Sequence, residues 1–235
     1  QPWLEGLLSG ANLDIHRGWE VKRIVQNDMG VTVRSHNGEE IHFEALVVSL
    51  PLGILRTGQV QFEPPLPPEK NEAIHSLGIG SQNKCLLRFS EVFWPHERDC
   101  LFFMNHFSEA EKAAWEPGES HNAMTVFIDV SRLTGQSVLV CLARDDEARY
   151  WEQIDDHKIV TQLLKPLRTA FGEKFREPIG HEITRWGQGW AQGAFSYLPW
   201  PQSAQLFQNL ARPQGRLFFA GEATAGQHCG TVHGA

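Results

Sequence analysis

Apolar and polar side chains alternate from Trp19 to Val25 and again from Val31 to Ser35, a period of two that puts one set of residues on each face of a strand. Asn37-Gly38 separates the second run from Glu40 to Phe43. This dipeptide tolerates the positive φ angles of a tight hairpin, so a β-meander is expected over Asp14 to Ser49. Ala45 to Leu50 is apolar almost throughout, the pattern of a strand buried in a parallel sheet. Pro51 has no N–H for a ladder, so the chain should leave the sheet there and open a strand end to a ligand.

Pro64-Pro65-Leu66-Pro67-Pro68 predicts a linker, with a crossing between domains near residue 60, and Glu69 to Leu77 reads as a short helix. Lys84 to Phe89, Leu101 to Met104, Ala123 to Asp129 and Ser137 to Ala143 read as strands of an antiparallel sheet, and Ile179 to Trp186 as a further strand. Ile159, Leu163, Leu167 and Phe171 recur every four residues and give a helix one apolar face. Pro166 is expected to bend that helix or end its first half. Gly187 to Pro201, rich in Gly, Trp and Pro, reads as an active-site loop without regular structure.

The closing stretch carries the first chemistry. Leu217 to Ala220 is a short apolar strand, and Gly221 lets the chain turn sharply because it has no Cβ. Glu222 then presents a carboxylate at the strand's carboxyl end, where an acid suits a ribose or ribityl hydroxyl. Gly230-Thr231-Val232-His233-Gly234 reads as a helix entrance, whose free N–H groups favour an anionic ring or phosphate. Together they indicate a cofactor site, although a plain strand-turn-helix with a solvated glutamate has the same pattern.

Composition narrows the classes. The chain has 235 residues, 41% of them hydrophobic, enough for one large domain or two small ones. A net charge of −7 argues against tight nucleic-acid binding and is compatible with a cationic ligand. Cys85, Cys100, Cys141 and Cys229 are too widely spaced for a zinc site or a disulfide framework, so no metal is expected and a reducing compartment is the default. His96-Glu97 and His181-Glu182 lack a second histidine at helical spacing. Gly78-Ile-Gly80-Ser-Gln-Asn83 resembles half of a dinucleotide loop, but it lacks the third glycine and follows a helix. No apolar run approaches the roughly 18 residues that span a bilayer, and no signal peptide opens the chain, so a soluble intracellular protein is expected, in nucleus, cytoplasm or peroxisome.

Phe218-Phe-Ala-Gly-Glu-Ala-Thr224, followed by Gly230-Thr-Val-His-Gly-Ala235, resembles the closing FAD motif of the flavin-containing amine oxidases, the polyamine oxidases and lysine-specific histone demethylases above all. The resemblance implies a two-domain FAD-binding fold of α/β and α+β character. Residues 1–60 and 201–235 would belong to the FAD-binding domain and 61–200 to the substrate-binding domain. The N-terminal dinucleotide-binding βαβ of that fold has no counterpart here. With no initiating Met, and Ala235 falling inside an expected helix, the chain is expected to be a C-terminal portion that binds no FAD and oxidises no amine alone.

The resemblance places Val21 near the adenine, Ser49, Leu50 and Pro51 beside adenine and pyrophosphate, and Gly221, Glu222, Thr231 and Val232 in the closing motif. It implies that Lys84 contacts flavin N5 through a water, as the catalytic residue. By its residues alone Lys84 reads first as an ordinary exposed lysine at a strand edge. Trp186, Phe195 and Tyr197 would form aromatic walls for an amine, with Trp186 also touching the cofactor. The loop departs from the family pattern: it looks one residue short between Trp186 and Gly193, and Phe195 stands where a tyrosine is usual. Ala194 stands where the monoamine oxidases carry a flavin-linking cysteine, which implies noncovalent FAD. The implied reaction oxidises a small amine or a methylated-lysine peptide with molecular oxygen and yields hydrogen peroxide. The alternative is a catalytically silent or truncated domain that serves protein interaction.

Overall fold

The computed structural model describes residues 6, 9–11, 13–95, 97–105, 108–113 and 124–235. Of the sequence expectations, Ala123 and His96 lie outside them. The alternating runs form β1 (Val21–Asn27) and β2 (Gly30–Ser35), antiparallel with Ile24 opposite Val33, and β3 (Glu40–Phe43) pairs with β2. Gly38, at φ 86°, turns the chain between β2 and β3. Ile24, Val31 and Val33 face the core, as the alternation requires.

β4 is only Leu46–Val48, and α1 (Leu52–Thr57) starts directly after Pro51. The proline that ends the strand thus begins a helix, for which its fixed φ is suited and its missing N–H costs nothing. β5 (Gln61–Glu63) adds to β1 in parallel and completes a four-stranded sheet, β3-β2-β1-β5. α2 (Pro68–Ser76) and β6 (Gly78–Gly80) lead into the second half of the molecule.

There, β7 (Gln82–Arg88), β8 (Cys100–Met104), β9 (Met124–Asp129), β10 (Val138–Arg144) and β11 (Gly180–Ile183) form an antiparallel sheet ordered β11-β7-β10-β9-β8. Two short helices, α3 (Glu109–Ala113) and α4 (Ser131–Thr134), lie between its strands in sequence. α5 (Asp145–Trp151) and α6 (Asp156–Phe171) cover one face, where Leu87, Phe127 and Leu139 meet Trp151, Ile159, Leu163 and Leu167. α6 runs through Pro166, which therefore does not end it. An interior proline costs about 3 kcal/mol. Leu163, Leu164 and Leu167 are all buried around it, and each such leucine contributes about 1.5–3 kcal/mol, so packing offsets the cost of the proline. Asp155 caps the start, accepting from the Lys158 N–H at 2.8 Å.

Burial raises the Glu147 carboxyl, in the first turn of α5, to about 7. A folded-state value above the ordinary one of 4.5 means that this group's contribution to stability is full below pH 4.5 and is lost as the pH climbs through 7. We therefore expect Glu147→Gln to gain about 1–3 kcal/mol on the native sequence between pH 4.5 and pH 8. Melting curves of both proteins at the two pH values check this, and an unchanged difference refutes it.

The chain returns through β12 (Phe195–Tyr197), α7 (Gln205–Ala211) and β13 (Leu217–Phe219). Gly187 to Pro201 therefore does contain a regular element: β12 pairs antiparallel with β6, a strand too short to show alternation. β13 pairs in parallel with β4, Leu217 opposite Leu46. Only one face of this pair is buried, through Val48, Leu217 and Phe219. Val47 and Phe218 are 62% and 45% exposed, which corrects the reading of β4 as fully buried. The expected helix entrance at Gly230–Gly234 is a short 3-10 turn, Val232–Gly234. All four cysteines are free, and burial pushes the Cys85 thiol up to about 12. Among the described residues no helix is long and apolar enough to cross a membrane, and no group of three or more His, Cys, Asp or Glu is placed to hold a metal.

Candidate functional site

β4 and β13 run in parallel and end side by side, and their carboxyl ends open on a cavity of about 280 Å³. Ligands in open parallel sheets settle at such strand ends because the chain diverges there and leaves backbone uncovered. One wall is the chain from Val48 to Gly53, a second runs from Phe219 to Thr224, and Trp186, Ala191 and Gly193 to Phe195 close the third side. Gly221 sits at φ 111°, a conformation that disfavours a side chain. A Cβ there would meet no atom within 4 Å, so the space in front of its backbone is open.

Glu222 does not stand free at the strand end. Its carboxylate accepts from the Ser196 N–H at 3.1 Å, the Ser196 hydroxyl at 2.9 Å and the Gly230 N–H at 2.7 Å. It therefore ties β13 to β12 and to the closing loop, with charge-assisted bonds that hold the cavity's second and third walls together.

Two glycines that look like a failed phosphate loop serve the aromatic residues. Gly78 and Gly80 stand opposite Tyr197 and Phe195 in the β6–β12 pair. A Cβ on Gly80 would lie 2.7 Å from ring carbons of Phe195, and one on Gly78 would fall within the Tyr197 ring. The rings lie over bare backbone, which only glycine provides.

The structure thus brings Ser49, Leu50, Pro51, Trp186, Phe195, Gly221 and Glu222 to one cavity. Val21, Lys84, Tyr197, Thr231 and Val232 are not in its lining. Val21 packs with the core of the first sheet, and Val232 is exposed. The Thr231 hydroxyl donates to the His228 carbonyl at 2.6 Å and accepts from the Gly234 N–H at 3.2 Å. Lys84 projects from the exposed face of β7, opposite the face that buries Asn83 and Cys85. Ile79, Leu210 and Phe219 also line the cavity. Ile79 belongs to β6, too short to show a period, and Leu210 to α7, where Leu206, Phe207 and Leu210 at helical spacing are the signal that could have found it.

These residues fit a flavin. Val48, Leu52, Ile79, Trp186, Phe195 and Phe219 offer apolar contact to a flat ring, and the open approach at Gly221 admits a ligand to the main chain. Ala194 lines the cavity and carries no nucleophile for a covalent link.

Residues 6–235 match the model of the family described as flavin containing amine oxidoreductase. Polyamine oxidase 2 of Arabidopsis thaliana is 33% identical over 236 residues, which cover all of this chain and 45% of that protein. Lysine-specific histone demethylase 1 homolog 1 of the same plant is 33% identical over 230 residues, 95% of this chain and 26% of the relative. Cyclohexylamine oxidase from Brevibacterium oxydans IH-35A shares the fold at a TM-score of 0.66 and 21% identity, over 92% of this chain and 45% of that one. The chain spans less than half the length of these proteins.

Proposed function

Because the chain belongs to the flavin-containing amine oxidoreductases, we propose that it contributes the cavity walls of an FAD-dependent enzyme oxidising a polyamine or an N-methyl-lysine side chain. The observation that carries this reading is the cavity at the carboxyl ends of β4 and β13, faced by Trp186 and Phe195. Ser49, Leu50, Pro51 and Gly221 would hold the cofactor by main chain and shape, while Glu222 keeps that wall in place. FAD supplies a two-electron acceptor beside the amine's α-carbon. The amine and oxygen become an imine and hydrogen peroxide, and water then converts the imine to an aldehyde and the shortened amine. Trp186 and Phe195 exclude water and present ring faces that attract a cationic chain. Lys84 contributes a positive charge that orders water and stabilises negative charge arising in the site.

The full-length protein that contains residues 1–235, incubated with FAD, should release peroxide from a polyamine or from an N-methyl-lysine peptide, whereas residues 1–235 alone should bind no FAD. Bound flavin with turnover of neither would overturn the reading. Lys84→Met should retain flavin but slow turnover roughly tenfold or more, and unchanged stopped-flow rates would remove Lys84 from the site. The flavin should leave the chain on acid denaturation, since Ala194 offers no thiol, and yellow precipitate would contradict this.

A further inference from the structure

Asn83, immediately before Lys84 on β7, is 1% exposed, and its amide has every bonding position filled. Its Nδ2 donates to the Ala148 carbonyl at 3.2 Å and to Glu152 Oε1 at 2.7 Å. Its Oδ1 accepts from the Thr184 hydroxyl at 3.2 Å and from the Trp186 N–H at 2.9 Å. Glu152 Oε1 also accepts from the Gly187 N–H at 2.9 Å, and the Glu152 carbonyl accepts from Gln188 Nε2 at 2.9 Å. Thr184 completes the clamp: its N–H donates to the Lys84 carbonyl at 2.9 Å and its hydroxyl accepts from the Lys84 N–H at 2.8 Å.

One buried amide therefore joins β7, α5 and the segment that ends β11 and enters the cavity wall. The other carboxylate oxygen, Glu152 Oε2, is buried with no partner among the described residues, a cost that tight packing alone does not require. An amide with all four bonding positions filled holds one arrangement, so the backbone of Trp186 is held at a set place relative to Lys84. We propose that Asn83, backed by Glu152, is a positioning residue that seats Trp186 in the cavity wall and fixes its spacing from Lys84. This rests on the reading of Trp186 and Lys84 as site residues, and it touches neither substrate nor cofactor directly.

Asn83→Ser shortens the side chain and releases the Trp186 N–H. In the FAD-loaded protein it should lower kcat/KM by about 10- to 100-fold, the effect of displacing a positioning wall by about an ångström. In a Trp186→Ala background the same change should cost little more, because the residue it seats is gone. Glu152→Gln keeps an oxygen for Asn83 and Gly187 and should preserve most of the turnover, whereas Glu152→Leu should lose it. With 5-fluorotryptophan incorporated, the 19F resonance absent from Trp186→Phe reports the seat of Trp186 without any turnover. It should move in Asn83→Ser and Glu152→Leu and stay in Glu152→Gln.

A lowered melting temperature with this resonance and kcat/KM unchanged would overturn the proposal, as would fully multiplicative losses in the double variant. If the native protein oxidises no amine, the functional reading fails while the resonance still decides the positioning role. Should Asn83→Ser not fold, Glu152→Leu against Glu152→Gln makes the same comparison.

Discussion

Lys70→Met is expected to destabilise the protein by about 2–4 kcal/mol, the largest stability loss among the changes considered. Lys70 lies on α2 and is 2% exposed, yet its ammonium reaches the end of α7 and donates to the carbonyls of Asn209 at 3.1 Å, Leu210 at 2.5 Å and Arg212 at 2.7 Å. These carbonyls belong to the helix terminus, where no further N–H follows to satisfy them. The charge also stands 3.8 Å from the centre of the Phe219 ring, a favourable cation–π contact. Burial, with Arg212 nearby, lowers the Lys70 value to about 8, so the group remains charged at pH 7. Methionine fills the volume but leaves three inward carbonyls without a donor, each worth about 1–3 kcal/mol, offset by the relief of a buried charge. Thermal unfolding at pH 7 should show a midpoint lower by several degrees. A loss below about 0.5 kcal/mol would mean that water replaces the ammonium.

Gly78→Ala is expected to reduce amine turnover by about tenfold or more while the chain still folds. The added methyl falls within the ring of Tyr197, and overpacking of this kind costs about 1–3 kcal/mol if the ring cannot move. Tyr197 is 45% exposed and has room to swing away, so the strain should appear as a displaced aromatic wall more than as unfolding. Gly80→Ala should act on Phe195 in the same way, with a stronger effect on flavin affinity because Phe195 lines the cavity. Kinetics with FAD titration test both. Wild-type kcat/KM in Gly78→Ala would show that Tyr197 does not shape the site.

Much of the first sheet was legible because Ile24, Val31 and Val33 obey a period of two and Asn37-Gly38 marks a turn. Ile159, Leu163 and Leu167 announced α6, and the packing of that apolar face carries the helix past Pro166. The three-residue strands β5, β6 and β12 were not legible. Each owes its conformation to a partner far along the chain, which no local pattern encodes. In the site, Ser49 to Pro51 and Gly221-Glu222 could be placed from the strand-end chemistry and the family resemblance. That Glu222 would be occupied by Ser196, 26 residues away, could not. Nor could the part played by Asn83, since an amide within a strand looks like any solvent-facing polar residue until the fold surrounds it.

The β6–β12 ribbon pairs Gly80 with Phe195, so the chain departs for the antiparallel sheet and returns from it at one narrow stem. The entropy of closing such an excursion grows only with the logarithm of its length, about 0.6 kcal/mol per doubling. Extra turns of helix or longer strand connections added within it would scarcely change the cost of forming the stem. Phe195 and Tyr197 stand on that stem, so the distal part could be remodelled for amines of different reach while the rings beside the cavity keep their place.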